Sequence, residues 1–214
     1  MVCAVLGAAL TIQAEAATPR ELLIQAAFLT TDKQIAIAKL DQAAAMTAAA
    51  GDTESLLLHA TAIGYHGKLT RSPSEAKQSR AMFERIAAGN PRDPEAQLML
   101  GGWHLDAIEE GFLAASFLGA KKAVGLAGID RAAMLGGDRA FFKAFAAMMR
   151  IRLDHKDVAT ATTLALAASA AATPTALDRI GKRDADALLI ALRAYDGRAA
   201  AALARKLLPF GRLD

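Results

Sequence analysis

The chain is poor in several residue types on which common protein architectures depend. Among its 214 residues there is one cysteine, there are six prolines, and 5% of the residues are aromatic. A lone cysteine excludes an intramolecular disulfide. No run of alternating Val, Ile, Thr and aromatic residues is long enough for a convincing sheet, and the prolines fall where helices are expected to begin or end. These absences leave a helical fold as the main possibility.

The residues that are abundant favour the same conclusion. The chain is 54% hydrophobic and rich in alanine and leucine, which lose little conformational freedom in a helix. This much apolar surface can form a sizeable core, so disorder is excluded for most of the chain. The intervening loops look short, as expected for antiparallel neighbours. We therefore predict an all-α, single-domain protein over residues 17–214.

The first residues have the pattern of an export signal. An apolar run from Val2 to Ile12 is followed by the small-x-small sequence Ala14-Glu15-Ala16, which a signal peptidase recognises. An amphipathic first helix and an uncleaved anchor are the alternatives, but the run is shorter than the roughly 20 apolar residues that span a membrane. We expect a signal peptide at residues 1–16, export to the periplasm and no stable membrane insertion. Removal of Cys3 with the signal would leave no thiol chemistry.

The net charge of +3 is unevenly distributed. Residues 1–107 contain 9 basic and 11 acidic residues, whereas residues 108–214 contain 16 and 11. Basic pairs such as Lys121-Lys122 would attract an anionic partner. Basic residues near helix ends are also favoured by the helix dipole, and nearby acidic residues indicate solvated faces. We therefore expect no nucleic-acid partner.

Capping signals divide the chain into helices. Thr18-Pro19-Arg20-Glu21 and Ser72-Pro73-Ser74-Glu75 both have the form of a capping box. Asp52 and Asp93 are further candidates for N-caps. Later boundaries are predicted from apolar periodicity and from Gly and Pro. The predicted later spans are Phe112 to Gly136 (interrupted by glycines), Arg139 to Leu153, His155 to Ala171, Pro174 to Ile180 and Arg183 to Leu208.

A spacing of 34 residues recurs between Gly67 and Gly101 and between Phe83 and Phe117. With Pro91, Leu100-Gly101 and Ala120, these positions resemble the tetratricopeptide repeat over residues 67–136. His104 departs from the family pattern where a Tyr is usual, and Gly125 stands where the closing Pro is expected. The resemblance implies an α-solenoid of antiparallel helical hairpins.

A narrower resemblance rests on Leu100-Gly101-Gly102-Trp103-His104 followed by Leu118-Gly119-Ala120. This arrangement is similar to a tetratricopeptide-like group that includes the T component of periplasmic solute-uptake systems and the regulators of microtubule dynamics. The resemblance implies a helical periplasmic accessory protein without catalysis, with a cavity or pore for a small apolar ligand.

Signals for catalysis or for metal binding are weak. There is no G-x-S-x-G elbow and no phosphate-binding glycine loop. His59 and His66 lie seven residues apart, roughly 10 Å along a helix, which is too far for one ion. Glu109 and Glu110 point in different directions on a helix. We expect neither an enzyme, nor a cofactor, nor a metal site.

Candidate binding residues come from the least ordinary parts of the sequence. The Trp-His pair can line a groove or pack in the core, and the apolar strip of Phe and Met can form an adaptable groove, although a buried helix has the same pattern. The candidates are Trp103, His104, Lys121, Lys122, Phe141, Phe145 and Met149. The sequence predicts an exported scaffold whose concave face binds a protein or peptide. The alternative is an accessory protein of a solute-uptake system that binds a small apolar ligand.

Overall fold

A computed structural model describes residues 16–213 of the protein. The predicted all-α class is confirmed, with 78% helix and no strand among the described residues. The signal peptide predicted for residues 1–16 lies outside the described residues except for its last position. The described helices are α1 (Pro19–Ile24), α2 (Lys33–Thr47), α3 (Thr53–Thr70), α4 (Pro73–Gly89), α5 (Pro94–Glu109), α6 (Phe112–Leu118), α7 (Lys122–Leu135), α8 (Ala140–Leu153), α9 (Val158–Ala170), α10 (Ala176–Arg193) and α11 (Gly197–Leu207).

Most of the predicted helix starts are confirmed by the caps. Thr18 forms a complete capping box with Glu21, and α1 continues as a π-helical turn over Gln25–Leu29. The Asp52 and Asp93 carboxylates accept backbone N–H groups at the starts of α3 and α5. Ser72 caps α4, but the reciprocal half of its predicted capping box is absent, because the Glu75 carboxylate bonds His66 instead.

Three of the predicted helical spans are divided differently. The span from Phe112 to Gly136 is two helices that meet at 80°, because Gly119 ends α6 in the left-handed conformation at φ 69°. The span predicted before Gly181 and the first part of the span Arg183 to Leu208 are instead joined in one helix, α10. The predicted span Arg183 to Leu208 is itself broken after Arg193, and its last part forms α11. Gly181 is retained within α10 at a close approach, since a Cβ there would lie 2.7 Å from the Cα of Phe141.

The core is centred on α8. Phe142, Met148, Met149 and Ile151 are among its fully buried side chains, and the helix packs against α5, α7, α9, α10 and α11. The interpretation of the Phe- and Met-rich strip as core is therefore confirmed for Phe141, Phe142, Met148 and Met149. Helices α2 to α5 are each in contact with the next along the chain.

Glycines bring α5 and α7 unusually close together. A Cβ on Gly101 would lie 2.7 Å from the backbone nitrogen of Ile129, and a Cβ on Gly128 would lie 2.7 Å from the Cα of Gly101. This close crossing fixes α5 against α7 and leaves the opposite side of α5 to face α3 and α4. Between residues 16 and 213 no single helix is long and apolar enough to cross a membrane, although α6 and α7 together meet those criteria as a bent pair.

Candidate ligand-binding groove

A groove of about 480 Å³ opens among the helices that precede the α8 core. Its lining comes from α3, α4, α5 and α6, with Phe145 of α8 and Pro209 also reaching it. Gly64 and Gly67 allow α4 to approach α3, since Cβ atoms there would lie 3.0 Å from Ser79 Oγ and 2.9 Å from Glu75 Cβ respectively. The groove is thus held between tightly packed helices.

Most of the groove wall is apolar. Gly102 has no side chain, and a Cβ there would lie 3.4 Å from the Phe145 ring, so the glycine leaves this ring accessible from the groove. Large side chains from three helices complete the wall, namely Phe83, Leu98, Met99, Trp103, Phe117 and Leu118. Such a surface favours an apolar ligand body, because burying apolar area releases about 25 cal/mol per Å².

A polar cluster of Tyr65, Lys68 and Asp106 interrupts this wall. The Lys68 ammonium donates to the Asp106 carboxylate at 2.9 Å. The Lys68 and Arg152 cations hold the pKa of Asp106 at about 2, against the opposing effect of burial. Burial, with a smaller effect from the Asp106 charge, raises the pKa of the Tyr65 hydroxyl above its usual value. The cluster therefore presents an ionised pair and an uncharged hydroxyl at neutral pH.

The Asp106 carboxylate is also tied to the core. Arg152, which is itself buried in α8, donates to Asp106 at 2.7 Å. Tyr65 packs edge-on against Phe210, with ring centroids 4.9 Å apart. Helix α3, helix α5 and the residues after α11 thus converge at the polar cluster, where ion pairs hold Lys68 and Asp106 and ring packing holds Tyr65.

A second cavity of about 350 Å³ lies among α4, α5 and the start of α7. It is lined by Arg80, Glu84, His104, Gly119, Lys121 and Val124. Arg80 connects the two cavities, because its guanidinium lies 5.7 Å from the Trp103 ring and donates to the carbonyl of Leu118, and both of those residues line the groove. Three of the six residues that line the second cavity are charged, against four of the 22 that line the groove.

The structure distributes the sequence-predicted binding residues over four environments. Trp103 and Phe145 line the groove, whereas His104 and Lys121 line the second cavity. Lys122 is exposed at the first residue of α7. Phe141 and Met149 are buried in the core and line neither cavity. The structure therefore does not bring the seven candidates together in one site.

The polar cluster was not predicted from the sequence. Lys68 and Asp106 are 38 residues apart, and the sequence gives no sign that they pair. One signal was present in α3, where Thr61, Gly64, Tyr65 and Lys68 follow the spacing of a single helical face. Polar and glycine residues at such positions interrupt an otherwise apolar face, which is typical of a cavity wall.

Comparison of the chain with protein-family models, with curated proteins and with solved structures found no match. In residues 16–213, no group of three or more His, Cys, Asp and Glu side chains is placed to hold a metal ion.

Proposed function

We propose that the protein is a non-catalytic binding protein whose groove takes a small molecule with an apolar body and a polar group. The observation that carries this proposal is the groove itself, about 480 Å³ of mostly apolar wall with one fixed polar cluster. Small-molecule sites typically have volumes of roughly 300–1,000 Å³ and a few oriented polar groups in an apolar lining. The ligand body would contact Trp103 and Phe145, and its polar group would meet Tyr65 and Lys68.

A protein or peptide partner is the second candidate. It is favoured by α6, where Phe112 and Leu113 are 84% and 81% exposed next to the groove residues Ala114 and Phe117. An apolar partner segment would cover these side chains and insert one of its own into the groove. The volume of the groove favours the small ligand, because an extended segment needs a longer channel. Export to the periplasm and a tetratricopeptide-like stacking of helical hairpins remain part of our proposal.

The single tryptophan provides a site-specific test. Trp103 lines the groove and is the only tryptophan in the chain. Titration with the uncharged probe N-phenyl-1-naphthylamine should give saturable energy transfer from Trp103 to the probe. Gly102→Leu should weaken binding about tenfold or more, because the new side chain fills the space beside Phe145. This loss corresponds to about 1.4 kcal/mol or more.

The matched control adds the same side chain elsewhere. Ala159 is exposed on α9, away from the groove, so Ala159→Leu should leave probe affinity unchanged. Circular dichroism would establish that both variants keep their helical content. Equal affinities in the wild type and Gly102→Leu would rule out the groove as the binding site. Native mass spectrometry of protein from its own host separates the two candidates, since a retained small ligand supports the first and a co-purifying peptide supports the second.

A further inference from the structure

The second cavity is lined by two cationic side chains, Arg80 and Lys121, and by one anionic side chain, Glu84. Lys121 is exposed and forms no ion pair within the described residues, and Arg80 contacts a single carboxylate there, that of Glu84. That contact is long, with 3.5 Å between Arg80 Nε and Glu84 Oε1, and the Glu84 side chain is half exposed. The cavity is thus open to an additional negative charge.

The fold holds the Arg80 guanidinium in place while leaving part of it free. One terminal nitrogen donates to the Leu118 carbonyl. Gly119 has a φ of 69° and lies against the guanidinium, where any Cβ would collide with it. The Nε of Arg80 is buried and has no hydrogen-bond partner in the described part of the chain. An anchored guanidinium with unused N–H groups is suited to bind an oxoanion.

His104 adds a buried donor. Its residue is 2% exposed, and its Nδ1 accepts the backbone N–H of Lys121 at 3.2 Å. With Nδ1 as acceptor, the neutral ring carries its proton on Nε2. Burial is the largest influence and lowers the pKa of His104. The Glu84 charge opposes it, and the Arg80 and Lys121 charges, each with a smaller effect than Glu84, lower the pKa further. Among residues 16–213 the Nε2 has no hydrogen-bond partner, so a ligand in this cavity can accept from it.

The first turn of α7 supplies further donors. Lys121 is the N-cap residue, and its side chain does not cap the helix. The N–H groups of Lys122, Ala123 and Val124 therefore lack intrahelical partners, and the helix dipole favours an anion beside them. The bond from Lys121 N–H to His104 places this turn directly beside the buried ring. Val124 itself lines the cavity.

We propose that this cavity binds a phosphate group. The cavity offers several hydrogen-bond donors, namely Arg80, Lys121, the His104 Nε2 and the α7 amides. Together they suit a ligand that accepts several hydrogen bonds and carries negative charge. A tetrahedral oxoanion meets both requirements. The site is separate from the groove and does not depend on the function proposed for it. The phosphate belongs either to a small soluble ligand or to a lipid headgroup.

The test begins with inorganic phosphate titrated at constant ionic strength into protein labelled with ¹⁵N. The His104 Nε2 and Val124 amide resonances should shift in a saturable manner. Arg80→Gln should weaken binding on the order of tenfold, because it removes charged hydrogen bonds. Lys121→Gln should weaken it about threefold, as expected for an exposed charge. Glu84→Gln should strengthen it about threefold, since it removes the opposing carboxylate.

Lys156→Gln is the control for general charge, because Lys156 is exposed and lies outside both cavities. Sedimentation with phosphatidylcholine vesicles, with and without phosphatidic acid, distinguishes the source of the phosphate. Saturable binding of inorganic phosphate supports a soluble ligand. Binding only to vesicles that contain phosphatidic acid supports a lipid headgroup. In both cases we expect Lys121→Gln to bind more weakly than the wild type. Absence of both kinds of binding, or equal losses in Lys121→Gln and Lys156→Gln, would overturn the proposal.

Discussion

Two phenylalanines that share a 34-residue spacing have opposite environments. Phe83 is 2% exposed and packs among α3, α4 and α5, whereas Phe117 is 62% exposed on α6. Lys77 lies over the Phe117 ring, with its Nζ 3.7 Å from the centroid. The 34-residue spacing predicts equivalent positions in a repeat for Phe83 and Phe117, but the two side chains differ in burial. The difference arises because α6 is a separate short helix in which no residue is buried.

Alanine substitutions should reveal this difference at the level of single residues. Phe83→Ala should lower the free energy of unfolding by about 3–5 kcal/mol, since it removes a buried ring and leaves a cavity. Phe117→Ala should lower it by about 0.5–1 kcal/mol, the usual value of an exposed cation–π contact. Urea denaturation followed by circular dichroism measures both. Similar losses in the two variants would mean that Phe117 is buried in solution.

Among the helices, the crossing of α5 and α7 depends on glycine. Gly128→Ala would place a Cβ 2.7 Å from the Cα of Gly101 and 2.9 Å from the carbonyl oxygen of Gln97. Because backbone atoms cannot move aside as side chains do, the helices must separate. We expect a loss of about 1–3 kcal/mol in the free energy of unfolding.

The control for this substitution is Gly89→Ala near the end of α4. No atom lies within 4 Å of a Cβ built on Gly89. Alanine is favoured over glycine in helices by roughly 0.5–1 kcal/mol, so this variant should be as stable as the wild type or more so. Thermal melting of both variants provides the comparison. A Gly128→Ala variant that also gained stability would contradict the close crossing.

Helix starts were predictable from the sequence because a cap is a local interaction. Thr18, Asp52 and Asp93 each bond backbone groups within three residues, and the sequence predicts all three as caps. The boundaries of α10 were not predictable, because Gly181 resembles a helix terminator. The helix requires glycine at this position because the backbone of Phe141, which is 40 residues away in the chain, packs against it.

In the candidate sites, too, local features are predictable from the sequence and contacts between distant residues are not. Trp103 and His104 stand out in the sequence, and each lines a cavity. The polar contacts around the two cavities do not stand out in the sequence. Arg80 donates to Leu118 and Lys68 donates to Asp106, and in both cases the two residues are 38 positions apart. Interactions of this kind require the tertiary fold, and neither periodicity nor spacing along the chain specifies them.

Across the whole molecule, one charge network joins helices from both parts of the chain. Asp106 of α5 binds Lys68 of α3 and Arg152 of α8. Glu109 of α5 lies 3.7 Å from the Arg205 guanidinium of α11. The network therefore connects the groove to the α8 core and to the end of the chain. Because Arg152 is buried, its charge needs a nearby anion, and Asp106 provides it.

The stability of the molecule should depend on this network in acid. The pKa of Asp106 is about 2 in the folded protein, below its ordinary value of 3.8. A lowered pKa gives stabilisation that is present above about pH 4 and is lost as the pH falls through about 2. Asp106→Asn should lower the free energy of unfolding by about 2 kcal/mol at pH 7, and the difference from the wild type should shrink towards pH 2.

Urea denaturation at pH 7, 5, 4, 3 and 2 measures this dependence. Asp138→Asn is the matched control, because Asp138 is exposed and its side chain makes no ion pair within residues 16–213. The control should follow the wild-type curve at every pH. A constant difference between Asp106→Asn and the wild type across the acid range would mean that the carboxylate acts through packing alone. If the unfolding free energies of Asp106→Asn and the wild type converge only below about pH 4, the carboxylate stabilises the fold through its ion pairs with Lys68 and Arg152. These pairs join α3, α5 and α8.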